Sequence, residues 1–159
     1  IVEFFDPACE TCRAFYPIVK DIMKQHPEQV RLVIRYAPFD AGSDQVVLML
    51  EAARLQGRYL PVLEMLLAGQ ALWADHGQPR FDLAERLAQE AGLDIEKARA
   101  DARRPEVRAV LRQDIEDLTA LEVTKTPTFF VNGSGLSTFG EGPLRDRVAQ
   151  ALAQAGQSQ

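Results

Sequence analysis

Cys9 and Cys12 are the residues of this sequence whose types and spacing most directly suggest chemistry. They are the only two cysteines, and Glu10 and Thr11 separate them. A pair at this spacing can perform thiol–disulfide exchange, in which one thiolate attacks a disulfide and a second thiol resolves the mixed disulfide. Two cysteines cannot build a disulfide framework, so the pair favours a redox role.

Two other interpretations of the cysteine pair stay open. It could form a structural disulfide, or it could supply half of a zinc site. A structural zinc needs four ligands, and the two histidines, His26 and His76, are not suitably paired with the cysteines. The sequence therefore gives zinc little support without a second chain.

The cysteine pair lies where a strand is predicted to give way to a helix. Residues 1–6 form a β-branched and aromatic run, and residues 6–8 (DPA) predict a turn. Cys9 then opens a helix with one apolar stripe, which Pro17 should kink and which ends at residues 26–27. Unpaired N–H groups at the helix start favour an ionised Cys9. Because Glu10 and Thr11 supply no cation, we expect the pKa of the Cys9 thiol to be lowered, but not to an extreme value.

The rest of the chain predicts a β-α-β unit, a helical insertion, and a β-β-α unit. A second strand at 30–36 would pair in parallel with the first, because a helix connects the two. A third strand is predicted at 128–131, a reversal at Asn132-Gly133, a fourth strand at 136–139 and a final helix at 143–156. The predicted domain comprises residues 1–42 and 122–159, with residues 43–121 as the insertion.

The insertion reads as helical almost throughout. Its predicted helices are 43–57, 59–67, 82–92, a short one from Asp94, and 105–121. A loop is predicted at 73–80. Trp73, placed in that loop, could line a substrate groove or simply pack against the core.

Two segments resemble the DsbA-like branch of the thioredoxin superfamily. They are residues 1–12 (IVEFFDPACETC) and residues 125–133 (KTPTFFVNG), and the similarity extends over nearly the whole chain. The resemblance implies a thioredoxin-like α/β fold with a helical insertion between the second and third strands. It also implies a thiol–disulfide oxidoreductase that needs no metal or organic cofactor.

The resemblance further implies roles for individual residues. Cys9 would attack, Cys12 would resolve, and Glu3 would lie buried beneath them and help to move the Cys12 proton. Thr126 and Pro127 match the loop whose proline is cis in the superfamily. Together with the dipeptide between the cysteines, Glu10 and Thr11, this loop would form the substrate-docking surface. The alternative for Glu3 is a position on an edge strand facing water.

Some positions depart from the family pattern. Strong oxidants of this family carry Pro-His where this chain has Glu10-Thr11, and a threonine before the cis-proline is similar to isomerases and reductases. No lysine aligns in the second strand to partner Glu3, although Arg35 is nearby. We therefore expect a mild oxidant, a reductant or an isomerase-like enzyme rather than a strong oxidant.

The sequence leaves two rival functions open. One is a glutathione-linked transferase or isomerase on the same fold, although such members usually lack the second cysteine. The other is a non-enzymatic module in which the cysteines form a static disulfide or a metal half-site.

Charge and hydropathy restrict the partners. The net charge of −5 and a basic stretch diluted by acids argue against nucleic acid. No apolar stretch approaches the ~20 residues that cross a bilayer. The expected partners are cysteine-containing protein substrates and, for recycling, a redox protein or glutathione.

The chain starts at Ile1, already within a predicted strand, so we expect a preceding leader or other segment. The DsbA-like resemblance suggests a bacterial periplasmic or envelope location, with the cytoplasm as the alternative.

Overall fold

A mixed β-sheet with the first strand in its interior organises the molecule. The structure is a computed structural model that describes residues 1–74 and 79–157. In these residues the strand order is β2-β1-β3-β4, where β1 is Val2–Phe5, β2 is Val33–Tyr36, β3 is Thr128–Val131 and β4 is Ser134–Gly135. β1 runs parallel to β2 and antiparallel to β3. An internal position explains why the first strand is almost entirely apolar.

The helices follow the predicted order, with one short additional helix at Gln70–Trp73. They are α1 (Glu10–Gln25), α2 (Ser43–Leu55), α3 (Tyr59–Ala68), α4 (Gln70–Trp73), α5 (Phe81–Glu90), α6 (Ile95–Asp101), α7 (Pro105–Ala120) and α8 (Glu141–Gln157). α2 to α7 lie between β2 and β3, which confirms the thioredoxin-like β-α-β, insertion, β-β-α arrangement. The division into 1–42 plus 122–159 and 43–121 stays a prediction.

One face of the sheet packs on α1 and the insertion. Phe5, Cys12 and Tyr36 share a buried cluster with Leu50 and Trp73 of the insertion. α1 and the insertion are therefore parts of one continuous core, so a contact made by the insertion can reach the cysteine pair.

The opposite face of the sheet packs on α7. Arg35 on β2 pairs with Asp114 and Asp117 of α7, and the Tyr36 backbone N–H donates to Asp114 across 2.8 Å. Arg35 is opposite Phe4 in the β1–β2 register, whereas Glu3 is opposite Ile34. Because neighbouring residues of a strand point to opposite faces, Arg35 is not a partner of Glu3.

The last strand differs from the prediction of 136–139. Asn132 and Gly133 have φ of 47° and 77°, as the two central residues of a tight hairpin require. The chain therefore re-enters the sheet at once, with Ser134 opposite Val131, and leaves it after Gly135. Phe139, assigned to the predicted strand, instead packs on Phe15, with 4.8 Å between the two ring centroids.

The second strand is shorter than the predicted 30–36. The β1–β2 ladder starts where Val2 meets Val33, so residues 30–32 have no β1 residue opposite them. The final helix is longer than the predicted 143–156, and residues 158–159 lie outside the described residues.

Trp73 is a core residue, and the predicted loop at 73–80 begins too early. Trp73 ends the short helix α4, which the sequence analysis did not predict. The Trp73 side chain is 0% exposed, and its indole N–H donates to the Leu66 carbonyl across 2.9 Å. The idea that Trp73 lines a substrate groove is therefore wrong. Residues 75–78, including His76, lie outside the described residues.

Candidate active site

Cys9 caps the N-terminus of α1 with its own sulfur. Its backbone is extended (φ −73°, ψ 120°), and its sulfur accepts a hydrogen bond from the Cys12 backbone N–H across 3.4 Å. Cys9 is half-buried, whereas Cys12 is fully buried one turn into the helix. The fold thus brings both cysteines together, and of the two only Cys9 is accessible to solvent.

The turn before Cys9 is held by a buried aspartate. The Asp6 carboxylate accepts hydrogen bonds from the Ala8 and Asp40 backbone N–H groups, each across 2.8 Å, and from the Ser43 hydroxyl. Burial raises the pKa of Asp6 despite these hydrogen bonds. Asp6 thereby joins residues 6–9, hereafter the active-site turn, to the start of α2.

The surroundings of Cys9 lower the pKa of its thiol to about 6. The largest cause is a hydrogen bond from the Cys12 side chain, followed by smaller contributions from Thr126 and from the backbone N–H groups of Thr11 and Cys12; partial burial opposes them. Directed donors stabilise a thiolate more than the helix dipole does, as expected from their magnitudes.

The surroundings of Cys12 shift the pKa of its thiol in the opposite direction. Burial raises the pKa of the Cys12 thiol, and the hydrogen bond that it donates to Cys9 raises it further. One sulfur is therefore poised as a thiolate and the other is kept as a thiol. This asymmetry is what a nucleophile and a resolving residue need.

The Thr126–Pro127 loop lies against the cysteine pair. The peptide bond between the two residues is cis, and the Thr126 carbonyl oxygen lies 3.5 Å from the Cys9 sulfur. Pro127 is buried, whereas Thr126 is partly accessible. A loop more than a hundred residues away in the sequence thus forms one wall of the site.

Glu3 is buried on the internal strand β1 and is 1% exposed. The edge-strand alternative for this residue is therefore wrong. Within the described part of the chain, neither of its carboxylate oxygens has a hydrogen-bond partner. Burial, and secondarily the charge of Cys9, raises the pKa of Glu3 to about 8. A carboxyl group with such a pKa can take up or release a proton near neutrality.

The remaining predicted residues divide into two groups. Glu10 and Thr11 are exposed on the first turn of α1, beside Cys9. His26 caps the opposite end of that helix, far from the cysteines. Among residues 1–74 and 79–157, no group of three or more His, Cys, Asp or Glu side chains is arranged to hold a metal ion.

Gln70 is a site residue that the sequence analysis missed. Its side-chain amide donates to the carbonyl oxygens of Pro7 and Cys9 across 2.8 and 3.0 Å. A glutamine inside a helical insertion gives no local signal of such a contact, because only the packing of α4 brings it to the active-site turn.

A match to a family profile identifies the family of this chain. The profile described as Thioredoxin matches residues 1–141. The chain belongs to this thioredoxin family. A thioredoxin-like oxidoreductase from Silicibacter pomeroyi is 32% identical, with a TM-score of 0.81 over 96% of this chain and 85% of that chain.

More distantly related solved structures share the fold. BdbD from Bacillus subtilis superposes with a TM-score of 0.81 at 20% identity, covering 96% of this chain and 86% of that chain. DsbA from Proteus mirabilis, solved with a bound peptide, gives 0.72 at 19% identity, covering 96% and 88%.

Curated relatives of this thioredoxin-family chain include much longer proteins. A Na⁺/H⁺ antiporter NhaA from Herminiimonas arsenicoxydans is 30% identical over 136 residues, which are 86% of this chain. The chain spans about a fifth (21%) of that antiporter's length. No helix among the described residues is long and apolar enough to cross a membrane.

Proposed function

We propose that this thioredoxin-family chain is a thiol–disulfide oxidoreductase that acts on cysteine-containing proteins through Cys9 and Cys12. One observation carries the proposal. The half-buried sulfur of Cys9 accepts the Cys12 backbone N–H at the start of a helix, and the buried Cys12 thiol, which would resolve the reaction, is the largest cause of the lowered pKa of Cys9.

The proposed reaction has two steps. The Cys9 thiolate attacks one sulfur of a substrate disulfide, forms a mixed disulfide, and expels the other substrate sulfur as a thiolate. Cys12 then loses its proton and attacks the Cys9 sulfur, which forms the Cys9–Cys12 disulfide and releases the second substrate sulfur. The substrate gains two electrons and the enzyme loses two; substrate oxidation is the reverse.

Glu3 is proposed to accept the Cys12 proton in the second step. Deprotonation of Cys12 needs help, because burial raises the pKa of that thiol. The Glu3 carboxyl is buried close enough to both cysteines for their charges to interact. Its pKa of about 8 lets a fraction of the molecules carry the basic form at neutral pH.

The docking surface is proposed to comprise Thr126, Pro127, Glu10 and Thr11. An extended substrate segment could pair with the Thr126 backbone, as in strand addition. The Proteus mirabilis DsbA structure holds the peptide PWATCDS, which contains a cysteine. By analogy, we propose extended cysteine-containing segments as substrates here.

The thiol pKa supports a mild rather than a strong oxidant. A Cys9 pKa of about 6 lies closer to that of thioredoxin (~7) than to that of DsbA (~3.5). Stabilising the thiolate less makes the disulfide less oxidising, so exchange near the potential of glutathione is the expected range. A redox protein or glutathione would recycle the enzyme, and the bacterial cell envelope is the proposed location.

Insulin reduction by the wild type, Cys9→Ser and Cys12→Ser tests the proposal. We expect activity in the wild type, none in Cys9→Ser, and trapped mixed disulfides in Cys12→Ser. Equal turbidity curves for all three proteins would show that the cysteines form only a static element. Glutathione-dependent activity that survives in Cys12→Ser would favour the transferase or isomerase alternative.

A further inference from the structure

Gln70 connects the helical insertion to the active-site turn. Its two amide N–H groups are both directed at this turn, one to the Pro7 carbonyl (2.8 Å) and one to the Cys9 carbonyl (3.0 Å). A glutamine has only two such donors, so its donating capacity is fully used here. The residue is 1% exposed, which excludes water as a ready substitute.

The helix that carries Gln70 is fixed at both ends. Before it, Gly69 packs so closely on α5 that a Cβ atom would lie 2.5 Å from the Leu87 Cδ1 atom. After it, the indole N–H of the buried Trp73 donates to the Leu66 carbonyl of α3. Because α4 is held by these contacts, the position of the Gln70 amide is defined by the insertion rather than by the turn.

The Gln70 amide oxygen adds a second observation. It is buried and, among the described residues, has no hydrogen-bond partner. A buried polar atom without a partner lowers stability, and an apolar side chain would avoid that cost. The favourable interactions of this amide are therefore the two hydrogen bonds to the active-site turn.

The active-site turn determines where the Cys9 sulfur points. The Cys9 carbonyl also accepts the Arg13 N–H across 3.1 Å, which is the first hydrogen bond of α1. Gln70 thus holds the residue that begins the helix and whose sulfur accepts the Cys12 N–H. A shift of this residue would move the sulfur away from its donors.

We propose that Gln70 is a positioning residue, through which the helical insertion holds the active-site turn and keeps the Cys9 sulfur aligned with its hydrogen-bond donors. This inference rests on the proposed function, in which Cys9 is the attacking thiolate. It assigns the insertion a part in the chemistry in addition to covering the core.

The pH dependence of Cys9 alkylation tests the proposal, with modification at Cys9 verified by mass spectrometry. The test variant is Gln70→Met, which keeps the side-chain length and removes both donors. The matched control is Gln56→Met. The Gln56 amide also bonds to backbone groups, the N–H and carbonyl of Asp94, each across 3.0 Å, away from the cysteines.

We expect the midpoint of Cys9 alkylation in Gln70→Met to rise by about one pH unit, which reduces the rate at pH 6 by about fivefold. The midpoint of Gln56→Met should equal that of the wild type, even if both variants unfold at lower urea concentration. A merely structural role of Gln70 would lower stability without moving the midpoint.

An unchanged midpoint in Gln70→Met would overturn the proposal. If that variant does not fold, Gln70→Asn, whose shorter amide cannot reach both carbonyls, is judged by the same criterion. Failure of the proposed function looks different, because the wild type itself would then fail to reduce insulin and its Cys9 would titrate as a free thiol.

Discussion

Glu3 lies directly opposite Phe129 in the antiparallel register of β1 and β3. Phe129 follows Pro127 by two residues, so one pair of strands holds both the buried carboxyl and the loop beside Cys9. The distances within the site therefore depend on how β1 pairs with β3 in the interior of the sheet.

Replacing Glu3 by Gln should change how stability depends on pH. Burial raises the pKa of Glu3 from 4.5 to about 8, so the unfolded chain releases this proton first. The wild type is then fully stabilised below pH 4.5 and loses stability between pH 4.5 and 8. Relative to Glu3→Gln, we expect a loss of about 3 kcal/mol between pH 4.5 and 7. Urea unfolding across this range measures it, and parallel curves would contradict it.

The same substitution should slow the second step of the reaction. Without a carboxylate to accept the Cys12 proton, the mixed disulfide at Cys9 should resolve roughly a hundredfold more slowly. Quenched-flow mass spectrometry with a glutathione-labelled Cys9 measures this step directly. If resolution proceeds at the wild-type rate, Glu3 is not the proton acceptor.

The titration of Cys9 should depend on Cys12. In the wild type, the 240 nm absorbance of the thiolate should rise with a midpoint near pH 6, because hydrogen bonds lower the pKa of Cys9 to about 6. In Cys12→Ala the strongest donor is lost, and the midpoint should move up by about one unit or more. A wild-type midpoint close to that of a free thiol, ~8.5, would refute the assigned environment.

Thr126→Val should raise the pKa of Cys9 by a smaller amount, about half a unit. The change removes the side-chain hydroxyl, which contributes to the lowered pKa, and keeps the backbone carbonyl. Thr128→Val is the matched control, because its hydroxyl bonds to the Lys125 carbonyl across 2.7 Å and is not among the groups that lower the pKa of Cys9. Equal midpoints in the two variants would contradict the assignment.

Asp114→Ala should destabilise the protein without affecting Cys9. Asp114 is buried, pairs with Arg35 and accepts the Tyr36 N–H, so its loss leaves two donors unpaired. We expect a loss of about 2–4 kcal/mol of unfolding free energy, against less than ~1 kcal/mol for the more exposed Asp117→Ala. Chemical denaturation measures both, and a reversed order would show that α7 is held differently.

The local elements around the site could be predicted from the sequence. The apolar run of β1, the cysteines at the start of α1 and the Asn132-Gly133 reversal each depend on neighbouring residues, and each is present. The contacts between site residues far apart in the sequence could not be predicted from local patterns. Thr126 and Pro127 were placed beside Cys9 only through the resemblance to a family, since no local pattern relates residues more than a hundred positions apart.

The predictions that failed have a common physical origin. The sequence predicts Trp73 in a loop, yet its side chain is fully buried and its indole N–H donates to the Leu66 carbonyl of α3. The final strand was placed two residues too late because the apolar pattern outweighed the geometry of the tight turn. Packing and strand register depend on two elements at once, so the sequence of a single element does not determine either.

The sequence by itself determined the order of the main elements, the position of the cysteine pair at a helix start and the expectation of a lowered pKa for the Cys9 thiol. These features follow from short-range periodicity and from the chemistry of residues three positions apart. Only the tertiary structure decided that Arg35 faces away from Glu3, that Glu3 is buried without a partner, and that Gln70 reaches the active-site turn. Each of those outcomes depends on which surfaces pack together, because burial and hydrogen bonding between distant residues arise only when the whole core forms.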